Sequence, residues 1–171
     1  MKIIKVLLFV CSILPSIQLQ AQDKSVSFAI KNAGFTVNGF FETFKSQIVY
    51  DAANPSASIF SGEIDVKSIN TDNTMRDNHL RKEDYFDVAK FPKIKFSSTS
   101  VTQLSEGKLK VTGNLTIKDV TKSITFEVNV QKSGAKNKFS ATIPLNRRTF
   151  NVGGKSMMLS DDLKILLNIV N

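Results

Sequence analysis

Apolar and polar side chains alternate one by one along most of this chain, and a two-residue period commits it to β-structure before anything else is weighed. Val26, Phe28 and Ile30 alternate with Ser27, Ala29 and Lys31, so one face of that strand is apolar and the other is wet. The rhythm returns at Phe60, Ile64 and Val66, where Gly62 marks an expected bulge or bend. It returns again at Ile94 and Phe96, at Leu109, Val111, Leu115 and Ile117, and at Ile124, Phe126, Val128 and Val130. Phe139, Ala141, Ile143 and Leu145 continue it, and Leu163, Ile165, Leu167 and Ile169 close the chain. Turn residues separate the runs at Ala33-Gly34, Ala53-Asn54-Pro55, Ser105-Glu106-Gly107, Lys118-Asp119, Ser133-Gly134 and Gly153-Gly154. With further strands expected near 35–41 and 46–50, the count is about eight or nine antiparallel strands. So many strands must close into a barrel or fold into a sandwich, because open edges invite aggregation.

One segment breaks the rhythm. Residues 76–86, RDNHLRKEDYF, predict a short helix capped by Asp77 or by the upstream Asn73 or Thr74. On such a helix His79 and Glu83 share a face at i, i+4, while Leu80 and Tyr85 or Phe86 turn toward the barrel mouth.

The chain opens with Lys2 and Lys5, an apolar run from Val6 to Leu14, Pro15, and Ala21 ahead of Gln22-Asp23. This is the pattern of an export signal, with residues 1–21 removed and 22–171 left as one domain in the periplasm or secreted from a bacterium. The apolar run is far shorter than the ~20 residues of a membrane-spanning helix. Cys11, the one cysteine, leaves with the signal, and Val10 before it argues against lipid attachment there.

Composition narrows the chemistry. One histidine and one cysteine rule out most side-chain metal cages, so neither a metal nor a cofactor is expected. G-x-S-x-G does not occur, the S-x-x-K spacings at Ser105 and Ser133 fall on the turn residues, and Glu83-Asp84 and Asp161-Asp162 read as exposed charges. The formal net charge of +8 raises nucleic acid as a partner. However, Lys93 and Lys95, Lys108 and Lys110, and Lys136 and Lys138 fall on the polar strand faces while the phenylalanines follow the apolar phase, so no basic surface with stacking rings is expected. No nucleic-acid partner follows. Transient contact with an anionic membrane surface and a homodimer stay open as partners. Asn114-Leu115-Thr116 matches a glycosylation acceptor by chance in this context.

The positive signal is aromatic: thirteen Phe against two Tyr and no Trp. An eight-stranded barrel either fills its interior with such rings or keeps a cavity for one ligand, and composition does not choose between them.

Read in order, the chain carries VSFAIKNAGFTVNGFF, SINT, RDNHLRKEDYFDVAKFPKIKFSST, GNLTIKDVTKSITFEV and NRRTFNVGG. Across residues 22–171 this resembles the YceI-like family of exported lipid- and polyisoprenoid-binding proteins. Arg76, Asp77, His79 and Leu80 match its RD-x-HL element, Phe86, Phe91, Pro92 and Phe96 the aromatic segment that follows, Leu115-Thr116-Ile117 its LTI, and Arg148 with Phe150 its late R-x-F. The chain departs from the family at Lys118-Asp119, where His-Gly is frequent, at Asn151 in place of a frequent glycine, and at Ile30-Lys31-Asn32, where many members place a histidine.

The resemblance implies an extended antiparallel, lipocalin-like β-barrel with a short helix at one end and a tunnel for a long-chain amphiphile: a polyisoprenoid, an isoprenoid quinone or a fatty-acyl lipid. Its candidate lining is Phe28, Ile30, Phe41, Phe44, Phe60, Ile64, Phe86, Phe96, Leu115, Ile117, Phe126, Val128, Phe139, Ile143 and Phe150. Arg76, His79 and Arg148 are the candidate polar residues at its mouth. The expected role is that of a carrier and not an enzyme. Two alternatives stand beside it: a hydrolase or isomerase acting on the same lipid with His79 as base, and a packed interaction barrel without a cavity.

Overall fold

The computed structural model describes residues 24–171, so the expected signal at 1–21, Cys11 within it, and the start of the domain at residue 22 lie outside the described residues. Ten strand segments and one short helix follow in order: β1 (Lys24–Asn32), β2 (Phe35–Phe41), β3 (Phe44–Val49), β4 (Ile59–Asp65), β5 (Ile69–Asn70), α1 (Thr74–Leu80), β6 (Lys93–Ser105), β7 (Lys108–Ile117), β8 (Val120–Ser133), β9 (Lys136–Asn146) and β10 (Leu159–Val170). All pairings between neighbours are antiparallel, in one sheet ordered β3-β4-β6-β7-β8-β9-β10-β1-β2-β5.

The ends of that order meet through the chain itself. β2 runs into β3 across Glu42 and Thr43 alone, and β4 runs into β5 through a 3-10 turn at Val66–Ser68. Glu42 N–H donates to Ser68 O at 3.1 Å and Asp65 N–H to Thr43 O at 3.0 Å, so the two bends are laced together. Taken as bent strands, β2–β3 and β4–β5 reduce the ten segments to eight staves of a barrel. Closure is incomplete along β3, which has a ladder on one edge only, although Asn171 Nδ2–H donates across that edge to Ile48 O at 2.8 Å.

Tight two-residue connections set the registers. Ala33 and Gly34 both take positive φ, 49° and 84°, as the hairpin between β1 and β2 requires. Gly62 carries no bulge: Ser46↔Gly62 and Gly62↔Phe96 continue the ladders on both sides without a shift. The irregularities fall between Ile30 and Asn32, Ser98 and Ser100, and Gln103 and Ser105, where no glycine advertises them.

The helix is shorter and earlier than its sequence suggested. Asn73 caps it, accepting from Arg76 N–H at 2.9 Å. It ends at Leu80, where Arg81 N–H is shared between Asp77 O and His79 O and Phe86 N–H turns back to Leu80 O. Arg81 sends Nε to Lys67 O at 2.9 Å and Nη2 to Ile69 O at 2.7 Å, and His79 turns to Asp84 rather than to Glu83.

At the end of the barrel away from α1 the interior is solid. Phe139 meets Tyr50 and Phe60 edge-on, with ring centroids 5.5 and 5.7 Å apart, above Val101, Leu109, Val111 and Val128. Removing a side chain from this plug leaves a hole that the surrounding sheet fills poorly. Leu109 is 1% exposed, and Leu109→Ala is expected to cost about 2–5 kcal/mol, seen as a lower urea midpoint with an unchanged m value.

Candidate ligand-binding cavity

The interior from the plug to the helix is hollow. A cavity of about 380 Å³ runs along it, in the roughly 300–1,000 Å³ range of sites that bury a small molecule. Its presence removes the solid-centred barrel from the alternatives. The inward phase of the strands builds the wall: Phe28 and Ile30 from β1, Phe41 from β2, Phe44 from β3, Phe60 and Ile64 from β4, Phe96 from β6, Leu115 and Ile117 from β7, Phe126 and Val128 from β8, and Phe139 and Ile143 from β9. Phe86 and Phe150, outside the strands, border it as well. Ile48, Ile124, Ile165, Leu167 and Leu80 line it too, and the first four sit in the apolar phase that strand alternation already marks.

Two rings owe their position to glycine. Phe28 lies over Gly39 of the neighbouring strand, where an added Cβ would stand 2.3 Å from its Cζ. Phe96 lies over Gly113 in the same way, at 2.5 Å. With no side chain beneath them, both rings lie flat against the wall and leave the bore open.

Polar groups gather at the helix end, and most are already occupied. Asp77, buried, accepts from Thr71 N–H at 3.0 Å and from Thr71 Oγ1–H at 2.6 Å. Arg76 donates from Nε to Thr71 Oγ1 at 2.8 Å and from Nη2 to Thr71 O at 2.7 Å. The Arg76-Asp77 pair therefore works as a latch that holds α1 to the end of β5, with both residues acting through Thr71. Arg76 borders the cavity, and its Nη1 has no hydrogen bond among the described residues. His79 also borders the cavity; its Nε2 lies 2.9 Å from Asp84 Oδ2, and its ring meets Tyr85 edge-on at 4.9 Å.

Arg148 is exposed and does not border the cavity; Arg147 does. Arg147 is buried, and its guanidinium donates to Ser160 O, Val152 O and Gly154 O, each at 2.9 Å, and to Asp161 Oδ1 at 2.6 Å. A cation so fully engaged organises the loop between β9 and β10 and has no donor to spare. The phase Ile143, Leu145, Arg147 was the available signal for its inward aspect. Asn151 follows at φ 55°, a left-handed position that asparagine tolerates almost as glycine does. Lys118 donates Nζ–H to Asn151 O at 3.1 Å, so it binds the same loop from the neighbouring hairpin.

Comparison with known proteins follows this geometry. Residues 18–171 match the YceI-like domain. The chain belongs to the YceI-like family. It is 31% identical over 160 residues to Protein YceI of Salmonella arizonae, covering 90% of this chain and 83% of that one. Among solved structures of the fold, Burkholderia cenocepacia BcnA superposes with a TM-score of 0.84 at 28% identity, covering 86% of this chain and 96% of that one. A polyisoprenoid binding domain from Saccharophagus degradans reaches 0.68 at 14% identity, with 86% and 92% covered. Membership accounts for the antiparallel barrel and its helix, as the resemblance implied. None of the helices among the described residues is long and apolar enough to cross a membrane.

The two glycine seats and the two arginines lend themselves to test. Gly39→Ala is expected to force the Phe28 ring into the bore, which a crystal structure of the variant would show directly; a ring left in place over a displaced strand would refute the seat. Arg147→Ala is expected to cost about 2–4 kcal/mol because it strands the buried carbonyl of Val152, the part-buried carbonyls of Ser160 and Gly154, and Asp161, whereas Arg148→Ala stays within about 0.5 kcal/mol; equal losses in thermal melts would contradict this division.

Proposed function

We propose that this protein is an exported carrier, not an enzyme, which shelters the tail of a polyisoprenoid, an isoprenoid quinone or a fatty-acyl lipid in its barrel. The observation that carries this reading is the middle of the cavity, where phenylalanine, isoleucine and leucine from most of the strands face one another across open space. An apolar chamber of this size forgoes the side-chain packing of a solid core, which favours a site shaped for a ligand. The solved polyisoprenoid binding domain shares the fold with this chain and no more; the cavity supplies the argument.

Transfer energetics set the scale. At about 30 Å³ for each small group, a cavity of about 380 Å³ holds roughly a dozen methylenes. Each methylene withdrawn from water is worth about 0.8 kcal/mol, or roughly 10 kcal/mol gross for the buried length. Ordering the tail and losing its free motion subtract several kcal/mol, which leaves micromolar binding or better. Because the mid-wall is apolar, it discriminates length and branching weakly, and selectivity falls to the head group at the rim. Of the expected mouth residues, Arg76 and His79 border the cavity and Arg148 does not, which supports the first two as partners of such a head group.

In this reading residues 1–21 direct export and are removed, and the carrier works in the periplasm or outside the cell, touching an anionic membrane surface in passing. Native mass spectrometry of protein purified from its own host tests the whole of it. The expected species begins at Gln22 and carries one long-chain lipid; a bare protein in repeated preparations would defeat the carrier reading. The hydrolase or isomerase alternative separates at His79: His79→Ala is expected to keep affinity for an extracted lipid within about threefold, and loss of a turnover measured on that lipid would favour the enzyme.

A further inference from the structure

Four of the large apolar side chains left most open to water stand at one end of the barrel, where β1, β7 and β9 finish and β2, β8 and β10 begin. Phe35 is 77% exposed and Met75 84%, and Met157 and Met158 are open as well. Single exposed apolar residues are ordinary on any surface. These are set apart by what they continue. Phe35 shares the inward phase of Val37, Gly39 and Phe41, and so carries the cavity wall past the rim into solvent. Met157 and Met158 lead directly into Leu159, another lining residue. Ala33 N–H donates to Met158 O at 2.8 Å, which sets that methionine beside the hairpin from which Phe35 projects.

Charge completes the surface. Lys31, Arg148 and Lys155 are exposed on the same two segments, residues 31–36 and 147–158, which contain no acidic residue. None of the three forms an ion pair among the described residues. Exposed acidic residues, Asp72 and Asp119, lie on the other connections at this end, so cations stand beside exposed apolar side chains without carboxylates on these two segments alone, and there they match a bilayer surface that has anionic head groups over an oily interior.

We propose that this end of the barrel docks on an anionic membrane, with Phe35, Met157 and Met158 entering the head-group layer and Lys31, Arg148 and Lys155 lying against its phosphates. The proposal rests on the carrier reading and gives it a route. A tail that moves from bilayer to cavity under a seated rim never crosses open water, so the largest part of its desorption barrier is removed.

Flotation with vesicles of phosphatidylcholine alone, or with about one third phosphatidylglycerol, tests this at low and high salt. The wild-type protein is expected to float with the anionic vesicles, less so as salt rises, and hardly with the neutral ones. Each basic residue is worth roughly fivefold in partition, so Lys31→Glu with Lys155→Glu is expected to reduce binding more than tenfold. Phe35→Ser with Met158→Ser is expected to reduce it about as much, with the melting temperature unchanged because these side chains are exposed. Failure of the wild type to float, or flotation unaltered in both double variants, would overturn the docking face. So would a concentration-dependent dimer in sedimentation that Phe35→Ser with Met158→Ser dissolves, since the face would then be covered by a second copy. Uptake of a fluorescent long-chain acyl dye in vesicle-free solution separates the two ideas. Variants that take up dye but no longer float support docking, whereas a protein that floats yet takes up no dye keeps the docking face and refutes the carrier.

Discussion

A strongly curled antiparallel sheet has one face that water must not reach, and here no second layer exists to cover it. The sheet covers itself, and everything else follows from how completely it does so. Where Tyr50, Phe60 and Phe139 interlock, the two sides of the sheet touch and the interior is packed. Toward α1 the walls stand apart, the rings of Phe28 and Phe96 lie flat on Gly39 and Gly113, and a chamber is left. The plug is packed through, whereas along the chamber only the wall is packed, as in the cluster of Val66, Ile69 and Phe150 near α1.

The helix end shows how a polar motif serves an apolar site. RD-x-HL places three of its members on structural duties: Arg76 and Asp77 grip Thr71, and Leu80 borders the chamber. His79 leans on Asp84 and Tyr85 at the edge. Across Gly153 from Tyr85, the buried Arg147 gathers the carbonyls of the loop before β10. Charged residues here fix the geometry of the rim.

Much of this was legible beforehand. Period-2 alternation identified the inward faces of β1, β4, β6, β7, β8, β9 and β10, since a half-buried strand allows no other assignment. Two-residue turns located the hairpins. Other features were not legible. The helix is shorter than its sequence suggests, and no local pattern shows that Arg81 is held by Lys67 O and Ile69 O, distant in the chain, or that His79 pairs with the nearby Asp84 and not with Glu83. A bulge was assigned to Gly62, whereas the actual irregularities sit at ordinary residues whose backbone yields to barrel curvature. Arg148 was preferred to Arg147 at the mouth because motif spacing does not say which of two adjacent arginines points inward.

What the sequence determined by itself is the alternation, and with it an all-β fold, the identity of the inward rings and the polarity of the outer face; these are local properties, set by the pleat and by the nature of each side chain. Whether those rings meet or stand apart was decided only in three dimensions. The gap across a barrel depends on strand stagger, on the bends that join β2 to β3 and β4 to β5, and on which ring finds a glycine opposite or diagonal to it on the next strand. Each of these is a relation between residues far apart in the chain, and no local pattern encodes it.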